Sequence, residues 1–281
     1  MNRQKPDYNR LDFVSALRES GLKKRDVVFS HSAIGFLGVP EGGAFAENIF
    51  ETVFGAFMDV IGDEGTLVVP TFTYSPGKNE VFDPEKTPST VGALTEMIRK
   101  LPHAHRSLDP IFSVAAVGRL ASELTHNVSK ECFGFGSFWQ RFLEVDGVIC
   151  NISRDAGSTF LHYGEKVLHV PYRFDKRIPS RVFVDGQTVN FDIINFCWNR
   201  AHPESRAYFN LFDQKARKKG AAKSFSIGRG AIVTISARDS LDILAQGLNE
   251  NPCFLTRAAE AGKSAFSDVC LRDAARLQVS G

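Results

Sequence analysis

Four short apolar runs, each bounded by turn residues and spaced by helical patterns, limit what this 281-residue chain can fold into. Asp26–Ser30 (DVVFS), Gly65–Pro70 (GTLVVP), Ile111–Gly118 (IFSVAAVG) and Gly147–Asn151 (GVICN) show no polar alternation, so they predict strands covered on both faces. Between them, Arg10–Ser20 sets Leu11, Val14 and Leu17 on one helical stripe that stops at Gly21. Ala44–Val60, Val91–Leu101 and Ser137–Glu144 also read as helices, with Ser89 or Thr90 as the expected N-cap of the second. Strands alternating with helices predict an α/β fold: a mostly parallel central sheet flanked by helices. Beyond residue 170 the pattern changes. Asp185-Gly186 lies between Arg181–Val184 and Val189–Ile193, and Gly228-Arg229-Gly230 between Ser224–Ile227 and Ala231–Ile235, which predicts antiparallel hairpin additions in the C-terminal part.

Composition closes off several function classes. With 34 basic and 32 acidic residues the net charge of +2 announces neither a nucleic-acid nor a membrane partner. The five cysteines (Cys132, Cys150, Cys197, Cys253, Cys270) are odd in number and show no C-x-x-C spacing, so no disulfide framework and no metal site is expected. The first residues are polar and no apolar run reaches the length of a bilayer span, which points to a cytoplasmic protein.

Four constellations could carry chemistry. Ser30-His31-Ser32 ends the first strand and leads into a loop with Gly38, Gly42 and Gly43 ahead of a helix, where hydroxyls and free N–H groups can bind an amide or a diphosphate, or merely satisfy a turn. Pro70-Thr71-Phe72-Thr73 ends the next strand, where open α/β sheets place ligands, although such hydroxyls also serve as local caps. Arg106-Ser107-Leu108-Asp109-Pro110 leads to Ser113, with the carboxylate of Asp109 held in an extended conformation by the proline. Thr159 to Glu165, on a helix begun at Gly157 or Ser158, sets His162 and Glu165 three apart on one face; they suit a general base with its orienting carboxylate, or an ordinary surface pair.

In this order the segments resemble the aminoglycoside 3-N-acetyltransferase family, unrelated in fold to the commoner GNAT acetyltransferases. The residues that carry the likeness are Val28–Ser32, Gly62–Thr73, Pro88–Leu94, Arg106–Gly118, Phe133–Ser137 and Thr159–Glu165, spread over roughly residues 25–170. The resemblance implies an acyl-CoA-dependent N-acyltransferase with acetyl-CoA, or another acyl-CoA, as co-substrate and no metal. It implies a coenzyme-binding and catalytic core over residues 1–170, with a C-terminal extension over 171–281 packed on the same domain and shaping the acceptor pocket. His31, Ser32, Thr71, Thr73 and Ser113 become candidates for the coenzyme. Thr159, His162 and Glu165 match the family's T-x-x-H-x-x-E pattern, with His162 as base and Glu165 as partner. Asp109 stands where the family has His-Pro, and is a candidate for that catalytic position.

Arg173, Lys176 and Arg177 follow the catalytic helix, and with Lys166 and Arg181 they suit an anionic acceptor, or equally a solvated face or a coenzyme phosphate contact. The expected substrate is therefore a small-molecule amino sugar, nucleotide-linked as in surface polysaccharide synthesis. An aminoglycoside is the alternative, and a coenzyme-binding homologue without turnover is a second. A serine hydrolase would need a nucleophile elbow, which Gly134-Phe135-Gly136-Ser137-Phe138 imitates in part. Direct transfer needs no protein nucleophile; Cys150 at a strand end could form an acyl-enzyme, but reads foremost as a buried core thiol. The oligomeric state is left open.

Overall fold

The computed structural model describes residues 5–278. In chain order the elements are α1 (Arg10–Glu19), β1 (Val27–Phe29), α2 (Ala46–Ile61), β2 (Thr66–Pro70), β3 (Val81–Phe82), α3 (Ala93–Arg99), β4 (His105–Arg106), β5 (Val114–Gly118), α4 (Ala121–Thr125), α5 (Phe138–Glu144) and β6 (Val148–Ile152). There follow α6 (Phe160–Val167), β7 (Arg173–Ile178), β8 (Arg181–Val184), β9 (Gln187–Asn190), β10 (Ile193–Trp198), α7 (Asn210–Lys218), β11 (Lys223–Ile227), β12 (Gly230–Ser236), α8 (Ala237–Glu250), α9 (Arg257–Glu260) and α10 (Asp268–Leu277).

A central sheet runs β11-β12-β6-β1-β2-β5-β4. Its middle strands β6, β1 and β2 are parallel, and antiparallel pairings complete both sides. The α/β class predicted from strand and helix alternation is the one observed. The run at residues 111–118 holds a surprise, because β5 begins only at Val114 and lies antiparallel to β2. The preceding residues turn instead: the Asp109 carboxylate accepts the backbone N–H groups of Ile111 and Phe112, both at 2.8 Å, and β4 folds back on β5 as a hairpin.

Both faces of the sheet are covered, as the uniformly apolar runs require. Val28, Leu67, Val69, Ala115, Cys150 and Ile152 pack with α1, α2 and α3. Their neighbours Val27, Phe29, Val68, Ala116 and Ile149 pack on the other side with α5, α6 and α8. This is the period of two in a strand, with each side buried by a helical layer.

Local capping explains where the helices start. Asn9 and Asp12 form a reciprocal capping box at α1. The buried stripe of that helix is Phe13, Val14, Ala16 and Leu17, whereas Leu11, expected on it, is 76% exposed. α3 starts two residues later than its pattern suggested: Gly92 is its N-cap, and the Ser89 hydroxyl bonds Thr95 instead.

After residue 170 the chain makes an antiparallel ribbon, β7 with β10, and a small sheet in which β8 and β9 form the expected hairpin. The second expected hairpin, β11–β12, joins the central sheet through β12 and β6. The loops after β1, β2 and β6 leave the carboxyl ends of three adjacent parallel strands, where the fold leaves room for a ligand.

Candidate active site

α6 starts at Phe160, behind a turn closed by the Leu161 N–H on the Ser158 carbonyl. Phe160, Leu161 and Gly164 face the core, which leaves His162 and Glu165 one turn apart on the flank toward β7. His162 Nδ1 is 2.6 Å from Glu165 Oε2. The Glu165 side chain is fully buried, while that of His162 is 19% exposed.

Two other contacts fix the carboxylate. The Tyr172 hydroxyl donates to Oε1 at 2.7 Å, and Arg173 Nε lies 2.7 Å from Oε2. The Arg173 N–H is turned off the line to the oxygen, so Nε and Nη2 make no hydrogen bond and the contact is ionic. Burial by itself would raise the Glu165 pKa, but Arg173, His162 and Tyr172 hold it down to about 2. Burial, followed by the Arg173 charge, lowers His162 below its ordinary value, against the pull of Glu165. An ionised Glu165 therefore accepts a hydrogen bond from the Nδ1–H of a neutral imidazole, and Nε2 carries the free lone pair. The ring is wedged between Phe133 and Phe209, at 5.6 and 5.7 Å between centroids.

Two clefts open at the loop after β1, and one of them adjoins the dyad. One, of about 360 Å³, is lined by His31, Asp155, Thr159, Tyr208 and Phe209 among others, and so shares Phe209 with His162. Thr159 Oγ1 and His31 Nε2 stand 3.3 Å apart there. Crowding of His31 against Phe29 and Phe72 strips it of water and lowers its pKa to about 3. The other cleft, of about 340 Å³, is lined by Ser32, Gly35, Ala44, Ala46 and the segment Val91–Thr95. Consecutive residues His31 and Ser32 thus look into different clefts.

Several expected ligands sit elsewhere. Thr71, Thr73 and Ser113 are almost fully buried and their hydroxyls are engaged: Thr71 with the Ser113 carbonyl, Ser113 with the Thr71 carbonyl, Thr73 with the Pro110 carbonyl. Arg106 ties the first two together from Nε, at 3.1 and 3.2 Å. These side chains hold the loop walls from behind and bring no group to either cleft. Asp109 is likewise a buried turn cap, one of its oxygens accepting two backbone N–H groups, and it lines neither cleft. Arg173, expected to hold substrate, is consumed by Glu165. Lys166 pairs with Asp175. Lys176 and Arg177 line a different cavity, of about 720 Å³, with Tyr74, Phe174 and Trp198.

Ser137 caps α5 by accepting the Gln140 N–H and is 2% exposed, so no nucleophile elbow exists. Cys150 is fully buried in the sheet and burial pushes its thiol upward, which removes it as an acyl carrier. Tyr172, Arg173 as an ion-pair partner, and Phe209 escaped the sequence reading. Only tertiary packing brings them to α6, and no spacing could have found them.

Comparison with known proteins shows the family. The family model for aminoglycoside 3-N-acetyltransferase matches residues 29–249, which include both clefts and the dyad. The chain belongs to the aminoglycoside 3-N-acetyltransferase family. Aminoglycoside N(3)-acetyltransferase VII of Streptomyces paromomycinus is 26% identical over 250 residues, 79% of this chain and 85% of that protein. The crystal structure of the aminoglycoside acetyltransferase AAC(3)-IVa apoenzyme superposes with a TM-score of 0.75 at 24% identity, covering 99% of this chain and 100% of the other. A complex of AAC-IIIb with CoASH gives 0.73 at 20% identity, over 86% and 97% of the two chains. Membership in the family makes the reaction class acyl-CoA:amine N-acyl transfer, with acetyl-CoA as co-substrate. No helix among the described residues is long and apolar enough to cross a membrane.

Proposed function

We propose that this protein transfers the acetyl group of acetyl-CoA to an amine of an aminoglycoside, with His162 as general base and Glu165 as its orienting carboxylate. The observation that carries this reading is the 2.6 Å His162–Glu165 contact, with a buried, ionised carboxylate fixing the tautomer that leaves Nε2 free. A neutral imidazole in that state accepts a proton from an amine as its nitrogen bonds to the thioester carbonyl carbon and the carbon–sulfur bond breaks. The proton ends on Nε2 and the coenzyme leaves as its thiolate.

The cleft lined by Ser32, Gly35 and Val91–Thr95 suits the narrow pantetheine arm, being mostly apolar with the two hydroxyl residues Ser32 and Thr95. Ala44 and Ala46, also on its wall, flank the start of α2, which has no side-chain cap, so its free N–H groups suit phosphate. The cleft of His31, Arg154, Asp155 and Phe209 is assigned to the acceptor, since it adjoins the base; it offers one carboxylate for a cationic sugar beside one guanidinium.

Support for a nucleotide-linked acceptor is withdrawn for a physical reason. That reading drew on a row of cations, but Arg173 and Lys166 are neutralised by Glu165 and Asp175. Lys176 and Arg177 line a cavity apart from the one next to His162. The matched relative is named for an aminoglycoside activity.

Thiol release from acetyl-CoA, measured over a panel of aminoglycosides and nucleotide-linked amino sugars, tests the assignment. Turnover is expected with an aminoglycoside, and His162→Ala is expected to lower kcat/KM about 10²- to 10⁴-fold while remaining folded. Because burial and Arg173 hold His162 below its ordinary value of 6.5, the acid limb of the profile should begin below pH 6.5. Turnover confined to nucleotide sugars, or an active His162→Ala, would refute the acceptor or the base respectively.

A further inference from the structure

His202, Glu204 and Cys270 bring one ligand-type atom each to within 4.8 Å of one another, the only such group of three His, Cys, Asp or Glu side chains found among the described residues. Sequence spacing concealed it, since Cys270 is 68 residues from His202. His202 Nδ1 and Glu204 Oε1 are 3.7 Å apart, too far for a hydrogen bond. Two ligands at about 2.0–2.3 Å from a tetrahedral ion stand roughly 3.3–3.8 Å apart; the His202–Glu204 pair has that spacing, and Cys270 Sγ lies within 4.8 Å of both. The opposite ring nitrogen, Nε2, is 2.9 Å from Asp273 Oδ2. A carboxylate behind the far nitrogen of an imidazole is the arrangement that orients a metal-binding histidine.

The backbone keeps these groups in place. The turn at Pro203–Ser205 is closed by the Ser205 N–H and hydroxyl on the His202 carbonyl, at 3.0 and 2.8 Å. Ser267 caps α10 by accepting the Cys270 N–H, and Cys270 and Asp273, three apart, then share the helix face toward His202. Cys270 is fully buried and His202 mostly so.

We propose that this cluster binds a zinc ion through His202 Nδ1, Glu204 and the Cys270 thiolate, with water in the fourth position. The mixed nitrogen, oxygen and sulfur donor set is one that zinc favours. Binding releases the Cys270 thiol proton to solvent. The ion ties α10 to the 203–205 turn. α10 packs along β7, where Gln278 bonds Asp175, so the tie braces the strand that carries Arg173.

The test uses the full chain without a histidine tag, stripped with a chelator and titrated with zinc chloride against a chromogenic competitor. One zinc per chain is expected. Asp273→Asn, which keeps all three ligands, should bind about 10- to 100-fold more weakly. Cobalt(II) in place of zinc should give a sulfur-to-cobalt charge-transfer band that Cys270→Ser abolishes and Cys150→Ser retains. His202→Asn, on an exterior turn, supplies the ligand deletion should Cys270→Ser not fold. Absence of stoichiometric zinc, undiminished affinity in the ligand variants, or cobalt binding without the sulfur band overturns the proposal. Acetyl transfer is not the readout, so neither result bears on the acceptor or the base.

Discussion

Glu165 shows how single side chains set the chemistry. A carboxylate with no solvent exposure would ordinarily take up a proton, yet two hydrogen-bond donors, His162 and Tyr172, and the charge of Arg173 keep it ionised. Tyr172 is the partner most open to a clean test, because Tyr172→Phe removes one oxygen and keeps the ring against Phe266. That change leaves Oε1 without its donor and should cost about 1–3 kcal/mol in urea unfolding. The Glu165 pKa should rise, so the kcat/KM profile should lose activity at higher pH than the parent. An unchanged profile together with unchanged stability would mean that the Tyr172 hydroxyl plays no part in holding the dyad.

Between elements, the dyad depends on how the loop before α6 meets the segment before α7. A Cβ built on Gly157 would lie 2.6 Å from both Cβ and Cδ2 of Phe209, whose ring packs on His162. No side chain fits there without moving Phe209, and its Cβ is tied to backbone. Gly157→Ala is expected to destabilise the protein by about 1–3 kcal/mol, the ordinary penalty of overpacking. It should also lower kcat by loosening the imidazole. Thermal unfolding and steady-state kinetics check both; a variant with normal kcat would show that Phe209 is not what holds His162. At this scale the sequence was readable for α6 itself, because His162 and Glu165 are three apart on one helix. It was silent on β7, whose first residues close the site from the other side.

For the whole molecule, buried titrating groups make stability depend on acidity. His31 is depressed to about 3 from 6.5 and Glu165 to about 2 from 4.5. In both the folded state binds its proton less readily than the unfolded chain. The stability each contributes is complete above the unfolded value and is lost as pH falls through the folded one. Urea midpoints should therefore decline from about pH 6.5 downward and more steeply below 4.5, where both groups act. His31→Asn should flatten the upper part of that decline, and an unaltered slope there would exclude His31 as a source.

What the sequence determined by itself is what depends on local pattern. Uniformly apolar runs required strands with both faces covered, helical stripes supplied the covering layers, and the ordered motifs up to Glu165 indicated the family and singled out the residues of the proposed dyad. Strand direction at β5 was not local, since it follows from the β4 hairpin and from Asp109 capping a turn where a strand was expected. Nor could the sequence decide which charges were free. Arg173 resembles a substrate-binding cation until β7 delivers it to a buried carboxylate. Thr71 and Ser113 resemble ligands until Arg106 and the neighbouring carbonyls occupy their hydroxyls. Periodicity reports which face of an element avoids water; the partner of a polar group is set only when distant segments pack together.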